Sequence, residues 1–244
     1  MSKTIVITGA GVGLGRALAR RFAKDGESVI VLGRTWSKVE AVANEIGERA
    51  MAIECDVASP DSVRAAFARI AEKHSSINVL INNAAVFEPF QIVNATDDQI
   101  VGAISINLAG PMLCVRSAVP MMGRGSNIIN VCSEGIALQL PHLSVYQSTK
   151  AGLEQFSTRM LKELEPLGIR VTCVRAGAMY EEGKTWDVDP DAAAAFRQAA
   201  LEAGVNLAER PISQFKSAVD IFSALIHLPD DLQVAAVNLH ARLA

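Results

Sequence analysis

Tyr146 and Lys150 stand four residues apart in the stretch SVYQSTKAGLEQF, residues 144–156. On a helix that spacing puts both side chains on one face. A Tyr hydroxyl titrates near pH 10 when nothing perturbs it and is a poor base at neutral pH. An ammonium held beside it favours the phenolate and lowers that value. Bringing it to neutrality takes roughly 4 kcal/mol of differential interaction, which the lysine could supply together with a positively charged cofactor ring. Such a pair could give a proton to, or take one from, a carbonyl or alcohol oxygen. Taken alone, the same two residues read better as a surface Tyr beside a solvated Lys.

Other residues gather around this pair. Thirteen positions upstream, NIINVCSEG carries an apolar run that ends at Ser133. In an open α/β sheet, ligands bind outside the carboxyl ends of the strands, where this hydroxyl would sit. Asn107, in ISINLAG, reads as the end of a helical segment. Its amide could relay protons if buried, or simply cap the helix. LINNAA, residues 80–85, closes a strand with two amides.

A second constellation opens the chain. TIVITGAGVGLGRALARRFAKDG, residues 4–26, sets four glycines within seven positions. Inside a helix each would cost roughly 1 kcal/mol against Ala. They fall between the β-branched run Ile5-Val6-Ile7 and a helical pattern of Leu14, Leu18, Ala19 and Phe22. There they permit a tight turn and let the backbone N–H groups of a helix N-terminus approach an anion. A bound diphosphate is the implied ligand.

The elements that must position these groups follow from periodicity. Apolar β-branched runs near 4–8, 28–32, 50–55, 77–82, 127–132, 169–175 and 234–238 predict seven strands. Helical patterns fill the intervals near 14–25, 36–47, 60–73, 97–122, 144–165 and 216–228, the fourth expected to break around Gly110-Pro111. Alternating β and α calls for a doubly wound parallel sheet with helices on both faces, a Rossmann-like α/β fold. No repeat or linker divides residues 1–244, so one dinucleotide-binding domain is expected. The segment near 177–213 has few strand signals, an Ala-rich piece at 192–195, and Tyr180 and Trp186 among acidic residues. Its length beside the expected site suggests a substrate loop rather than a plain connection.

Composition narrows the function classes. Half of the 244 residues are hydrophobic and a fifth are charged, with a net charge of −3 and no basic block. That argues against nucleic acid as the main partner. No uninterrupted apolar run approaches the length of a membrane span, and the chain enters a strand at once, leaving no room for a signal peptide. Cys55, Cys114, Cys132 and Cys173 show no C-x-x-C pair and read as buried free thiols. The four histidines lack ligand spacing, so no metal is expected. A reduced, cytoplasmic protein with a small-molecule substrate and no membrane partner fits these features.

Taken together, Thr8-Gly9-x-x-x-Gly13-x-Gly15, Asp56-Val57, Asn82-Asn83-Ala84, Asn107, Ser133 and Tyr146-x-x-x-Lys150 resemble the short-chain dehydrogenase/reductase family in order and spacing, across residues 5 to 177. The resemblance implies that Tyr146 is the general acid/base. Lys150 would hold the nicotinamide ribose and lower the Tyr146 pKa, Ser133 would bond the substrate oxygen, and Asn107 would support a water leading protons to Lys150. Cofactor contacts are implied for Gly9, Val12, Gly13, Leu14, Gly15, Asp56, Val57, Asn83, Ala84, Gly177 and Met179, besides Tyr146 and Lys150. The chain departs from the family pattern at Ala85, at Thr172, at Arg175-Ala176 and Glu181 after the sixth strand, and in its ending, VAAVNLHARLA. A homo-oligomer, dimer or tetramer, is expected, although that ending could change it.

Twenty residues past Gly13, where NAD-binding folds of this kind carry an acidic residue, this chain has Gly33 followed by Arg34. A guanidinium suits a 2′-phosphate through its planar fork. Thr35 and Lys38 could add a hydroxyl and a second charge, while Val12 leaves the basic position of the glycine turn unfilled. NADP(H) is therefore expected over NAD(H), with NAD(H) possible. Substrate contacts are expected from Glu134, Leu138, Leu140, His142, Met179, Tyr180 and Trp186, a mostly apolar set with Glu134 as a polar handle. The expected activity is hydride transfer between the nicotinamide and a carbonyl or secondary alcohol, as in a ketoreductase. An NAD-dependent alcohol dehydrogenase is the alternative, and a non-catalytic cofactor-sensing protein on the same fold is the other.

Overall fold

A computed structural model of the chain describes residues 2–180 and 188–242. The strands Thr4–Thr8 (β1), Ser28–Gly33 (β2), Ala50–Glu54 (β3), Val79–Asn82 (β4), Asn127–Ser133 (β5), Arg170–Ala176 (β6) and Ala236–Leu239 (β9) form one parallel sheet. Their order is β3-β2-β1-β4-β5-β6-β9. A two-residue parallel ladder, Met179–Tyr180 (β7) with Ser213–Gln214 (β8), stands apart from it. The helices are Gly13–Lys24 (α1), Trp36–Ile46 (α2), Pro60–Ala71 (α3), Asp97–Ile104 (α4), Gly110–Ala118 (α5), Ser144–Leu164 (α6), Pro190–Glu202 (α7) and Phe215–Ile226 (α8).

The strands are apolar on both sides because both faces are covered. Along β1, Val6 packs in a core with Phe67 and Ile70 of α3, Cys114 and Val115 of α5, and Met160 and Leu164 of α6. Its neighbours Ile5 and Ile7 face the other way, against Leu18 and Phe22 of α1, Val39 and Val42 of α2, and Phe222 of α8. This alternation is the two-residue period of a strand. All four cysteines are buried free thiols. The strand order reverses between β1 and β4, which opens a crevice at their carboxyl ends where such folds bind ligands.

Two expectations change. The helical pattern at 97–122 does not break at Gly110-Pro111. Instead α4 runs through a π-helical turn, Ser105–Ala109, directly into α5. Pro111 has no N–H and its ring crowds the carbonyl four residues back, and a widened turn absorbs both. Asp97–Met121 is long and apolar enough to cross a bilayer by length and composition, but here it packs against α3, α6 and β4. The second change lies within 177–213, where α7 forms a 13-residue helix that periodicity did not predict. Asp189 caps it through Ala192 N, and Pro190 occupies its first turn.

Candidate active site

The crevice is a cleft of about 530 Å³, lined along one side by Gly9, Gly11, Val12, Gly13 and Leu14. Thr8 and Asn83 build its floor. The Thr8 hydroxyl accepts from both Asn83 N and Ala84 N at 3.0 Å, and the Asn83 side-chain amide donates to the carbonyls of Thr8 and Gly9. The ends of β1 and β4 are thereby stapled under the glycine turn. Gly9 has φ +64°, and a Cβ there would lie 2.7 Å from Ala84 Cα. A Cβ at Gly15 would lie 2.6 Å from both Gly9 O and Asn83 Nδ2. Gly15 therefore serves the packing beneath the turn and does not line the cleft, a correction to its expected cofactor contact. The Asn83 side chain also holds the turn, and the residue lines the cleft.

Further along, Gly33, Arg34, Thr35, Lys38, Asp56, Val57 and Ala84 line the same cleft. The Asp56 carboxylate accepts from Ala58 N at 3.0 Å, which fixes the turn after β3. Arg34, Thr35 and Lys38 are exposed, and among the described residues Arg34 makes no ion pair. A glycine-lined helix N-terminus, a bare Gly33 and two cations at the rim fit a dinucleotide. Gly177 and Met179 line the opposite end with Tyr146.

At that end β5 delivers Ser133 and α6 delivers Tyr146 and Lys150. The Ser133 hydroxyl accepts from Gly135 N at 3.0 Å and is hydrogen-bonded to Tyr146. Phe87 meets the Tyr146 ring edge to face at 4.8 Å. Burial pushes the Tyr146 hydroxyl above its ordinary pKa, against the lowering effect of the Ser133 bond. The sequence expectation was a lowered value. Lys150 is 3% exposed, and its ammonium donates to Val131 O at 2.8 Å. Burial lowers its pKa to about 8. Desolvation is the largest influence on both groups.

Asn107 lies inside the π turn, not at a helix end, and is fully buried. Its Oδ1 accepts from Val86 N at 2.8 Å, while Nδ2 donates to Val86 O at 3.0 Å and to Thr149 Oγ1 at 3.2 Å. The amide thus holds the chain leaving β4 against α6, one residue before Lys150. Both of its N–H donors are used there. Val86, Phe87, Ile106 and Phe215, none of them singled out from the sequence, also line the cleft. The aromatic pairing of Phe87 with Tyr146 is a long-range contact that local pattern does not reveal.

The expected substrate residues divide. Leu140 is buried with Leu143, Phe196 and Ala200, and Phe87, Leu138, Tyr146, Val205 and Leu207 pack on that group. An apolar wall therefore flanks Tyr146, and α7 supplies Phe196 and Ala200 to it. His142 takes φ +64° in the bend between Leu140 and Leu143, and its carbonyl accepts from Phe90 N at 2.8 Å. It shapes the wall but does not line the cleft. Tyr180 belongs to β7, where Gln214 Nε2 donates to its hydroxyl at 3.4 Å. Glu134 is not a free handle: its carboxylate is held by Arg210 and His240. Trp186 and Glu181 lie outside the described residues. The remaining departures are accommodated, since Thr172 Oγ1 donates to Val234 O at 2.8 Å and Arg175 pairs with Glu154.

Comparison with known proteins agrees with this geometry. The family model described as short chain dehydrogenase matches residues 3–187. An uncharacterised oxidoreductase of Methylorubrum extorquens is 30% identical, over 94% of this chain and 91% of the relative. The serine 3-dehydrogenase of Agrobacterium fabrum is 35% identical, over 75% of this chain and 74% of the relative. Among solved structures, a short-chain dehydrogenase from Streptomyces avermitilis superposes with a TM-score of 0.84 at 22% identity, over 98% of this chain and 88% of that one.

Proposed function

Since the chain belongs to the short-chain dehydrogenase/reductase family and is an NAD(P)-dependent oxidoreductase, we propose that it is an NADP(H)-dependent ketoreductase for small, mostly apolar carbonyl compounds. One observation carries the reading. A single cleft runs from the Arg34, Thr35 and Lys38 rim, past the glycine turn, to Tyr146. The cations suit a 2′-phosphate, and no carboxylate occupies the end of β2 to repel it.

When bound, the nicotinamide supplies the hydride chemistry. Every other task falls to the chain. Ser133 and Tyr146 share a hydrogen bond and could together hold a carbonyl oxygen, with Tyr146 as the proton donor. A hydroxyl kept protonated by burial is in the state that donation requires. Lys150 supports it from the next helical turn, and Asn107 fixes the backbone around both. The apolar wall of Leu140, Leu143, Phe87 and Phe196 excludes water and favours a hydrocarbon group on the carbonyl.

The test is a panel of ketones and secondary alcohols, followed by nicotinamide absorbance with each cofactor. The expected result is NADPH oxidation with apolar ketones, with kcat/KM at least about tenfold below that for NADPH when NADH is used. A preference for NADH, or turnover of alcohols with NAD alone, would replace the reading with an NAD-dependent alcohol dehydrogenase.

A further inference from the structure

Glu134 follows Ser133 directly and opens a short 3₁₀ turn, Glu134–Ala137. Its carboxylate gathers donors from three distant segments. Oε1 accepts from Ala178 N at 3.3 Å and from the Arg210 guanidinium at 2.8 Å, and Oε2 accepts from His240 Nδ1 at 2.9 Å. Those partners lie 44, 76 and 106 residues away in sequence. The fit is close. A Cβ on Gly177 would lie 2.6 Å from Leu239 O, which the β9 backbone does not allow, and 3.2 Å from Glu134 Oε2, which would crowd the carboxylate.

We propose that Glu134 is a positioning residue that fastens both ends of the segment 178–210 beside Ser133. Ala178 is where that segment leaves β6, and Arg210 is where it returns. Between them the chain carries Met179 to the cleft and Phe196, Ala200, Val205 and Leu207 to the wall around Tyr146. One carboxylate thus closes the base of the excursion that shapes the substrate side. His240 ties the residue after β9 to the same point. The Glu134 side chain is 14% exposed and that of Arg210 is 28% exposed. Removing one partner would leave the other partly buried without its counter-charge, the costly way to break such a pair. The inference rests on the assignment of Ser133 and Tyr146 as the reacting pair, but its test does not require turnover.

Hydrogen exchange of the free protein, read by mass spectrometry, compares wild type with Glu134→Ala, Glu134→Gln, Arg210→Met and Arg210→Lys. Peptides covering 176–180 and 205–214 should exchange about tenfold faster or more in Glu134→Ala and Arg210→Met, while those of β4 and β5 stay at the wild-type rate. Arg210→Lys, which keeps a cation within reach, should retain most of the protection. The emission of bound NADPH should also change in Glu134→Ala, because the Met179 end of the cleft is no longer fixed. Unchanged exchange at both ends of the segment overturns the proposal. So does uniform acceleration across the sheet, which would make Glu134 an ordinary contributor to stability. If Glu134→Ala does not fold, the comparison of Glu134→Gln, Arg210→Met and Arg210→Lys decides alone. Failure of wild type to reduce any ketone would remove the ketoreductase reading and leave the exchange result standing.

Discussion

The Lys150 ammonium donates to the main-chain carbonyl of Val131 at 2.8 Å, from a side chain that the fold all but closes off from solvent. The cation is buried behind Tyr146's helix face and is held by one strand carbonyl of β5. Burial draws its pKa down from 10.5 to about 8.

This has a consequence for stability. In the unfolded chain Lys150 keeps its proton up to about pH 10.4, whereas the folded chain releases it near 8. Between those values the unfolded state binds more protons, so this residue's contribution to stability rises with pH and is lost as pH falls through 8. Tyr146 works the other way, because its raised value favours unfolding only above about pH 10. Comparing the cofactor-free wild type with Lys150→Met between pH 7.5 and 9.5, the wild type should gain in Tm relative to the variant. A constant difference would show that Lys150 does not titrate in this window.

Arg34 should discriminate between the cofactors. Arg34→Ala is expected to raise the Kd for NADPH about tenfold, equivalent to roughly 1.4 kcal/mol, and to leave that for NADH almost unchanged. Arg34→Lys should recover part of the loss, because it keeps the charge without the planar fork. Fluorescence titration measures both without turnover. Equal effects on the two cofactors would rule out a role in 2′-phosphate recognition.

Asn107 makes a structural prediction. Asn107→Ala strips Val86 N–H and C=O of their partners in a partly buried setting. Each orphaned group costs about 1–3 kcal/mol, so denaturant unfolding should show a loss of at least about 2 kcal/mol. A loss below about 0.5 kcal/mol would mean that water replaces the amide without cost.

The sequence was informative where chemistry is local. The glycine turn, the seven strands and the Tyr146–Lys150 spacing each depend on neighbours within a few residues, and the sheet assembles them as their periodicity requires. Gly15 belongs to the motif but packs beneath the turn and does not line the cleft, because a motif marks a position and not the direction of its contacts. Asn107 was misread as a helix end since Gly110-Pro111 imitates a terminator, and the π turn that absorbs Pro111 has no sequence period of its own. Helix α7 had readable signals, Asp189 and Pro190 before an Ala-rich run, that the low strand content of its surroundings obscured. The Glu134–Arg210 pair was not legible at all, because nothing local links residues 76 apart. The lowering expected for Tyr146 includes a positive cofactor ring; in the protein alone burial, which no motif records, outweighs the Ser133 bond.

In the proposed reaction Tyr146 delivers the proton to the substrate oxygen. Tyr146→Phe keeps the ring packed against Phe87 and removes the hydroxyl bonded to Ser133. The measurement is kcat for NADPH-dependent reduction of the best ketone in the panel, with the NADPH Kd determined on the same preparation. With Tyr146 as the proton donor, kcat should fall about 10²–10⁴-fold, with the Kd within about threefold of wild type. A variant that binds NADPH normally and keeps more than about a tenth of wild-type kcat would contradict that role.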